Sequence, residues 1–220
     1  MADMQEAVHH ATSQERATML EGSMSELLIG IGSVVLAIIA LIGFLPEVLV
    51  SITAIAMGVA FVFEGAAISR EISDVLAEST VTMSSLGYGV TVEFLAGVIG
   101  VALGILSLVN VAPMVLLPVA GIVYGAGLIA GTGMTNRLSK IAVQATVEEE
   151  AVLELSREAI AAASYVRLFI GVGAMTLGVL ALIGLSPLVL SIIALLGVAF
   201  SQMVNGGSMS GRLMSLFSRY

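Results

Sequence analysis

Apolar residues gather along this chain into six runs with short polar or turn-forming interruptions. The runs are Leu27–Leu45, Val48–Ile68, Phe94–Ala112, Met114–Met134, Leu168–Ser186 and Leu188–Met209. A helix crossing a bilayer needs ~20 mostly apolar residues at ~1.5 Å of rise each, so each run predicts one transmembrane helix. The first, third and fifth runs end directly at Pro46, Pro113 and Pro187. Proline cannot continue a helix interior but suits the first turn of the next helix. The pattern therefore predicts three tight hairpins, each with almost no loop.

Aligned on those prolines, the three first helices match without gaps. Sixteen residues before the proline stand Gly30, Gly97 and Gly171; thirteen before, Ser33, Gly100 and Ala174; nine before, Ala37, Gly104 and Gly178. Leucine recurs ten before (Leu36, Leu103, Leu177) and five before (Leu41, Leu108, Leu182). A fixed internal period resets the expected fold, here to a threefold tandem repeat. Steps of three and four residues keep the small positions on one helix face, and small faces let membrane helices approach closely. This stripe is expected to pack against the other first helices or against the hairpin mates.

The residues Gly30…Leu36…Leu41…Pro46, Gly97…Leu103…Leu108…Pro113 and Gly171…Leu177…Leu182…Pro187 give the chain a resemblance to the HdeD-type acid-resistance membrane proteins. That family is built on a short hairpin repeat of unknown function. The resemblance covers the six runs and not the connections. It implies the hairpin fold and a stress-related role, and it carries over no site residue.

Composition sharpens the class. The chain has 220 residues, 58% hydrophobic and 11% charged, with a mean hydropathy of +1.09. A soluble domain averages about 25% charged residues, so the expected solvent is lipid. A net charge of −8 argues against nucleic acid, whose phosphates call for a basic face. With no cysteine, disulfides, thiolate metal sites and cysteine nucleophiles are excluded. The two histidines, His9 and His10, are neighbours that share no helix face. No nucleophile–base pair or metal cluster emerges, so the chain is expected to be no enzyme and to carry no cofactor or metal.

All eight basic residues lie on the tails, on the two longer connections or at their helix boundaries, and none lies at the proline turns. The positive-inside rule then puts both termini and the long connections in the cytoplasm. The expected protein is an all-α, multi-pass protein of the cell's inner (cytoplasmic) membrane. Its first segment, 1–26, is polar and acidic and has neither the basic start nor the early apolar core of a secretory signal. It precedes hairpins at 27–70, 94–137 and 168–212, connections at 71–93 and 138–167, and a tail at 213–220. In the second connection Thr146 and Glu149 form a capping box. Val152, Leu155, Ala159 and Ala162 follow on one face, which predicts an amphipathic helix lying on the membrane or on the protein.

Polar residues inside the runs are the functional candidates. Glu64, Gly131 and Asn205 share one offset, eighteen residues past their prolines, and Gln202 precedes Asn205 by one turn. At ~27 Å along the helix, this layer falls near the cytoplasmic boundary. Glu64, Gln202 and Asn205 fit a polar vestibule that accepts an ion or proton; they also fit a plainer role as residues that bond neighbouring helices, which is preferred. Glu26, Glu93 and Arg167 all stand twenty residues before their prolines and would form an interfacial ring about a pseudo-threefold axis. The expected function is structural, accessory or stress-related, with the lipid bilayer, a membrane-protein partner or further copies as company. The alternative is a small-solute or proton channel or transporter.

Overall fold

The computed structural model describes residues 27–78, 87–145 and 150–217, with side chains at 27–66, 92–132 and 164–205. The acidic segment 1–26, Glu26 with it, and the capping box at 146–149 lie outside these residues. The described residues form six helices: α1 (Leu27–Leu41), α2 (Pro46–Glu78), α3 (Gly87–Leu108), α4 (Pro113–Ala145), α5 (Glu150–Leu182) and α6 (Pro187–Phe217). No strand occurs among the described residues. Four helices contain stretches long and apolar enough to cross a membrane: Pro46–Ala66, Pro113–Thr132, Ser164–Leu182 and Pro187–Asn205. Leu27–Leu41 and Val92–Leu108 are shorter apolar helices. Large apolar side chains, among them Leu28, Ile42, Phe63, Phe169 and Ile183, point outward from the protein. Such a surface belongs in lipid, and the chain is a multi-pass helical membrane protein.

The three hairpin turns share one backbone design. Gly43, Asn110 and Gly184, each three residues before a proline, take φ of +94°, +66° and +100°. Their amides donate to the carbonyls three residues back, on Ala40, Ser107 and Ala181. The next amides, of Phe44, Val111 and Leu185, donate to Ile39, Leu106 and Leu180. This paired pattern is the Schellman motif, which satisfies the last carbonyls of a helix through a left-handed residue, usually glycine and sometimes asparagine. The residue before each proline (Leu45, Ala112 or Ser186) also has positive φ, and its carbonyl accepts the first bond of the following helix.

Several helices run on past their apolar stretches. Nothing in Ala67–Glu78 breaks a helix, so α2 continues through residues expected to be connection. Helix α5 is one 33-residue helix from Glu150 to Leu182. The amphipathic segment, expected to lie as a separate helix on the membrane or on the protein, instead continues straight into the fifth apolar run. The reason is local: Glu150–Ile170 contains no glycine or proline, and Ala161–Ala163 favours helix.

The second helices α2, α4 and α6 meet one another at the centre. At the level eleven residues past each proline sit Met57, Tyr124 and Val198; four residues further sit Phe61, Leu128 and Gln202; all six are fully buried. Most of the small-residue stripe packs neither on the other first helices nor on the hairpin mates. A Cβ on Gly97 would meet the Gly58 carbonyl and the Val62 amide of α2, each at 2.7 Å; one on Gly171 would meet the Gly125 carbonyl of α4 at 2.8 Å, and one on Gly125 the Gly171 carbonyl at 2.5 Å. A Cβ on Gly30 would lie 2.8 Å from the Met203 backbone of α6. Gly97, Gly104, Gly171 and Gly178 thus face the second helix of the preceding hairpin, Gly100 meets Tyr124 of its own hairpin mate α4, and α1 closes onto α6 at Gly30. Connectivity explains the difference: the short turn already holds each hairpin pair, leaving the small face for the neighbouring hairpin.

Gly173 and Gly184 separate backbone conformation from packing, because a Cβ at either meets nothing within 4 Å. Gly173→Ala lies in helix and should stabilise by about 0.5–1 kcal/mol. Gly184→Ala, forced to positive φ, should destabilise by about 1–2 kcal/mol. Thermal unfolding of both variants in detergent checks the opposite signs.

Candidate polar cluster

Five polar residues from four helices converge at the end of the bundle away from the proline turns. Glu64 lies on α2, Glu93 on α3, Arg167 on α5, and Gln202 and Asn205 on α6. Position alone brings them to one level: Glu64 and Asn205 stand eighteen residues past their prolines, while Glu93 and Arg167 stand twenty before theirs. The antiparallel hairpins fold these offsets onto the same layer.

Glu64 is the hub. Its Oε2 accepts from Gln202 Nε2 at 3.0 Å, and its Oε1 accepts from Asn205 Nδ2 at 3.1 Å and pairs with Arg167 Nη2 at 2.7 Å. The same Arg167 nitrogen donates to Glu93 Oε1. One guanidinium thus joins carboxylates from α2 and α3, and α6 is tied in by two carboxamides. The cluster is withdrawn from solvent, with Gln202 at 0% and Glu93 at 2% exposure. Helix α4 contributes space: at the level of Glu64 and Asn205 it carries Gly131, where a Cβ would collide with the Glu93 carboxylate. The Gln202 Oε1 is buried with no hydrogen-bond partner.

The sequence reading held Glu64, Gln202 and Asn205 apart from Glu93 and Arg167. The structure brings all five into one network. Glu26 lies outside the described residues. The missed signal was available, since a layer eighteen residues into one helix of a hairpin must lie beside a layer twenty residues before the end of the other. Of the small-face positions, Gly30, Ser33, Ala37, Gly97, Gly100, Gly104, Gly171, Ala174 and Gly178 are all buried. Ser33 is buried with its hydroxyl unpartnered. Gly100 has a particular neighbour, because a Cβ there would overlap the Tyr124 hydroxyl. That hydroxyl donates to the Ala54 carbonyl, and the Tyr124 ring lies 5.3 Å from Phe61. Elsewhere Ser51 donates to the Glu47 carbonyl at 2.6 Å and sits 2.8 Å from the Ser107 hydroxyl, a polar link between α2 and α3.

Among the described residues, no group of three or more His, Asp or Glu is arranged to hold a metal ion. The cluster offers hydrogen bonding and charge. No protein-family model matches the chain, and no curated protein or solved structure matches it.

Breaking a buried ion pair strands charge, at a cost of about 3–5 kcal/mol. Arg167→Leu should therefore destabilise the protein by about 3 kcal/mol, and adding Glu64→Gln and Glu93→Gln should recover much of that loss. Thermal unfolding of the single and combined variants measures the coupling; strictly additive losses would contradict the network.

Proposed function

We propose that this chain is a non-enzymatic membrane protein with a structural or accessory role, built as three tandem hairpins whose six helices all cross the inner (cytoplasmic) membrane. In this reading the hairpins surround a pseudo-threefold axis. Both termini and the long connections face the cytoplasm, as the placement of the basic residues favours. The matching turns at Gly43, Asn110 and Gly184 support the repeat. So do the matching approaches of Gly30 to Met203, Gly97 to Val62 and Gly171 to Ile129.

The observation that carries the functional reading is the filled centre. Met57, Tyr124 and Val198, followed by Phe61, Leu128 and Gln202, occupy the meeting place of α2, α4 and α6 with no exposed surface. The polar groups that could line a path bond to one another at one end. Such a body suits docking. The small helix faces pack within the chain, and the partner, another membrane protein or further copies of the chain, is engaged through the acidic cytoplasmic segments. A stress-related setting fits the HdeD-type resemblance.

The second reading is a small-solute or proton transporter, favoured by the gathering of Glu64, Gln202 and Asn205 at the cytoplasmic end. Ionisable groups at membrane depth commonly mark transport pathways, and internal repeats are common in transporters.

Extraction of the chain from native membranes in mild detergent, followed by mass determination, tests the accessory role. A stoichiometric partner or a defined homo-oligomer is expected. A lone monomer, together with proteoliposome proton flux abolished by Glu64→Gln, would replace this reading with the transporter.

A further inference from the structure

We propose that the three proline turns form a membrane-contact surface of their own, sunk among the acyl chains at the far edge of the bilayer instead of standing in water. The proposal rests on the reading that the hairpins cross the membrane, and it holds whether the chain docks or transports.

The turns are apolar where water would favour polar residues. Four residues before each proline stand Ile42, Val109 and Ile183, and two before stand Phe44, Val111 and Leu185. The first three are 79%, 70% and 72% exposed, and the other three are exposed as well. A turn facing water is ordinarily built from Gly, Pro, Asn, Asp and Ser. Exposed apolar side chains at equal positions in three turns mark a contact surface. Glu47 is the single charge within 41–48, 108–115 and 182–189. It stands in the first turn of α2, the helix end that favours an anion, and from there it reaches the headgroups.

The turn backbone meets the condition for immersion. In each turn the amides four, three and two residues before the proline bond to carbonyls of the helix just ended, and the proline itself has no amide. Lipid tolerates backbone whose polar groups are bonded internally.

Length points the same way. Val109 and Ile183 stand sixteen residues past Glu93 and Arg167. That is about 24 Å along a helix, against a hydrocarbon core of about 30 Å. With the charged layer at one edge of the core, the turn side chains end short of the other. The occupant is therefore lipid, because the turn surface continues through the exposed Leu41, Leu108 and Leu182 into the lipid-facing sides of the helices. Recognition by water-soluble partners is then confined to the cytoplasmic end.

The chain has no tryptophan, so Ile42→Trp, Val109→Trp and Ile183→Trp each place one reporter at a turn. Val35→Trp places a reference on the exposed side of α1. Each full-length variant, its helix content checked by circular dichroism, is reconstituted alone into phosphatidylcholine vesicles. Its fluorescence is read with brominated acyl chains, or with iodide on both sides of the vesicle. Expected at all three turns are blue-shifted emission, bromine quenching comparable to that of Val35→Trp, and no quenching by iodide. Red-shifted emission quenched by iodide puts the turns in water and overturns the proposal. Shielding from both quenchers puts a second copy over the turns and also overturns it. Iodide quenching of Val35→Trp without bromine quenching would overturn the membrane-spanning reading along with it. The matching cysteine variants, in a chain with no cysteine of its own, should resist a membrane-impermeant maleimide in native membranes; full labelling equally overturns the proposal.

Discussion

Two apolar helices in lipid gain nothing by hiding from water, because the lipid tails around them are as apolar as their own side chains. What holds this bundle is direct contact, and the contact depends on backbones coming within touching distance. At Gly58 and Gly97, a side-chain carbon on either residue would reach to 2.7 Å of the other's carbonyl oxygen. Gly125 and Gly171 repeat the arrangement one hairpin later. At such distances dispersion and weak Cα–H to carbonyl contacts accumulate along the helix face. The rest of the structure follows. The first helices seat against the preceding hairpins, which pushes the second helices together and fills their meeting place with Phe61, Tyr124, Leu128 and Leu195.

The polar layer does a different kind of work. Dispersion along a smooth face sets separation well but register poorly, since one small residue resembles the next. Hydrogen bonds and an ion pair have angular and distance demands that permit one register. Arg167 reaches carboxylates on α2 and α3 at once, while Gln202 and Asn205 anchor α6 to the same Glu64. Breaking any one member strands the others, so the layer ties four helices into one unit at the end opposite the turns. Gly131 is as much a part of this layer as the charged groups, because the Glu93 carboxylate occupies the space that any other residue there would claim.

The hairpins were legible in the sequence because proline and glycine act locally. Pro46, Pro113 and Pro187 mark where a helix can begin, and the small residues at fixed offsets before them mark a buried face. The partner of that face was not legible. Spacing says which residues share a side of a helix, but only the closed arrangement says which neighbour they meet, and for most of them it proved to be the preceding hairpin. The length of α5 was missed for a related reason. Charge separates Glu150–Arg167 from the apolar run that follows, whereas the backbone responds to helix breakers, and none intervenes. The cluster was half visible: each polar residue stood out against its apolar run, but Arg167's double role depends on two hairpins meeting at one depth.

The closure of α1 onto α6 is the step on which this account depends most, since it turns a row of hairpins into a ring. A side chain on Gly30 has no room against the Met203 backbone, whereas one on Gly32, half a turn away, meets nothing within 4 Å. Thermal unfolding of Gly30→Leu and Gly32→Leu in detergent therefore reads the contact directly. A clear loss of stability is expected for Gly30→Leu and little or none for Gly32→Leu. Equal stability of the two variants would contradict the ring.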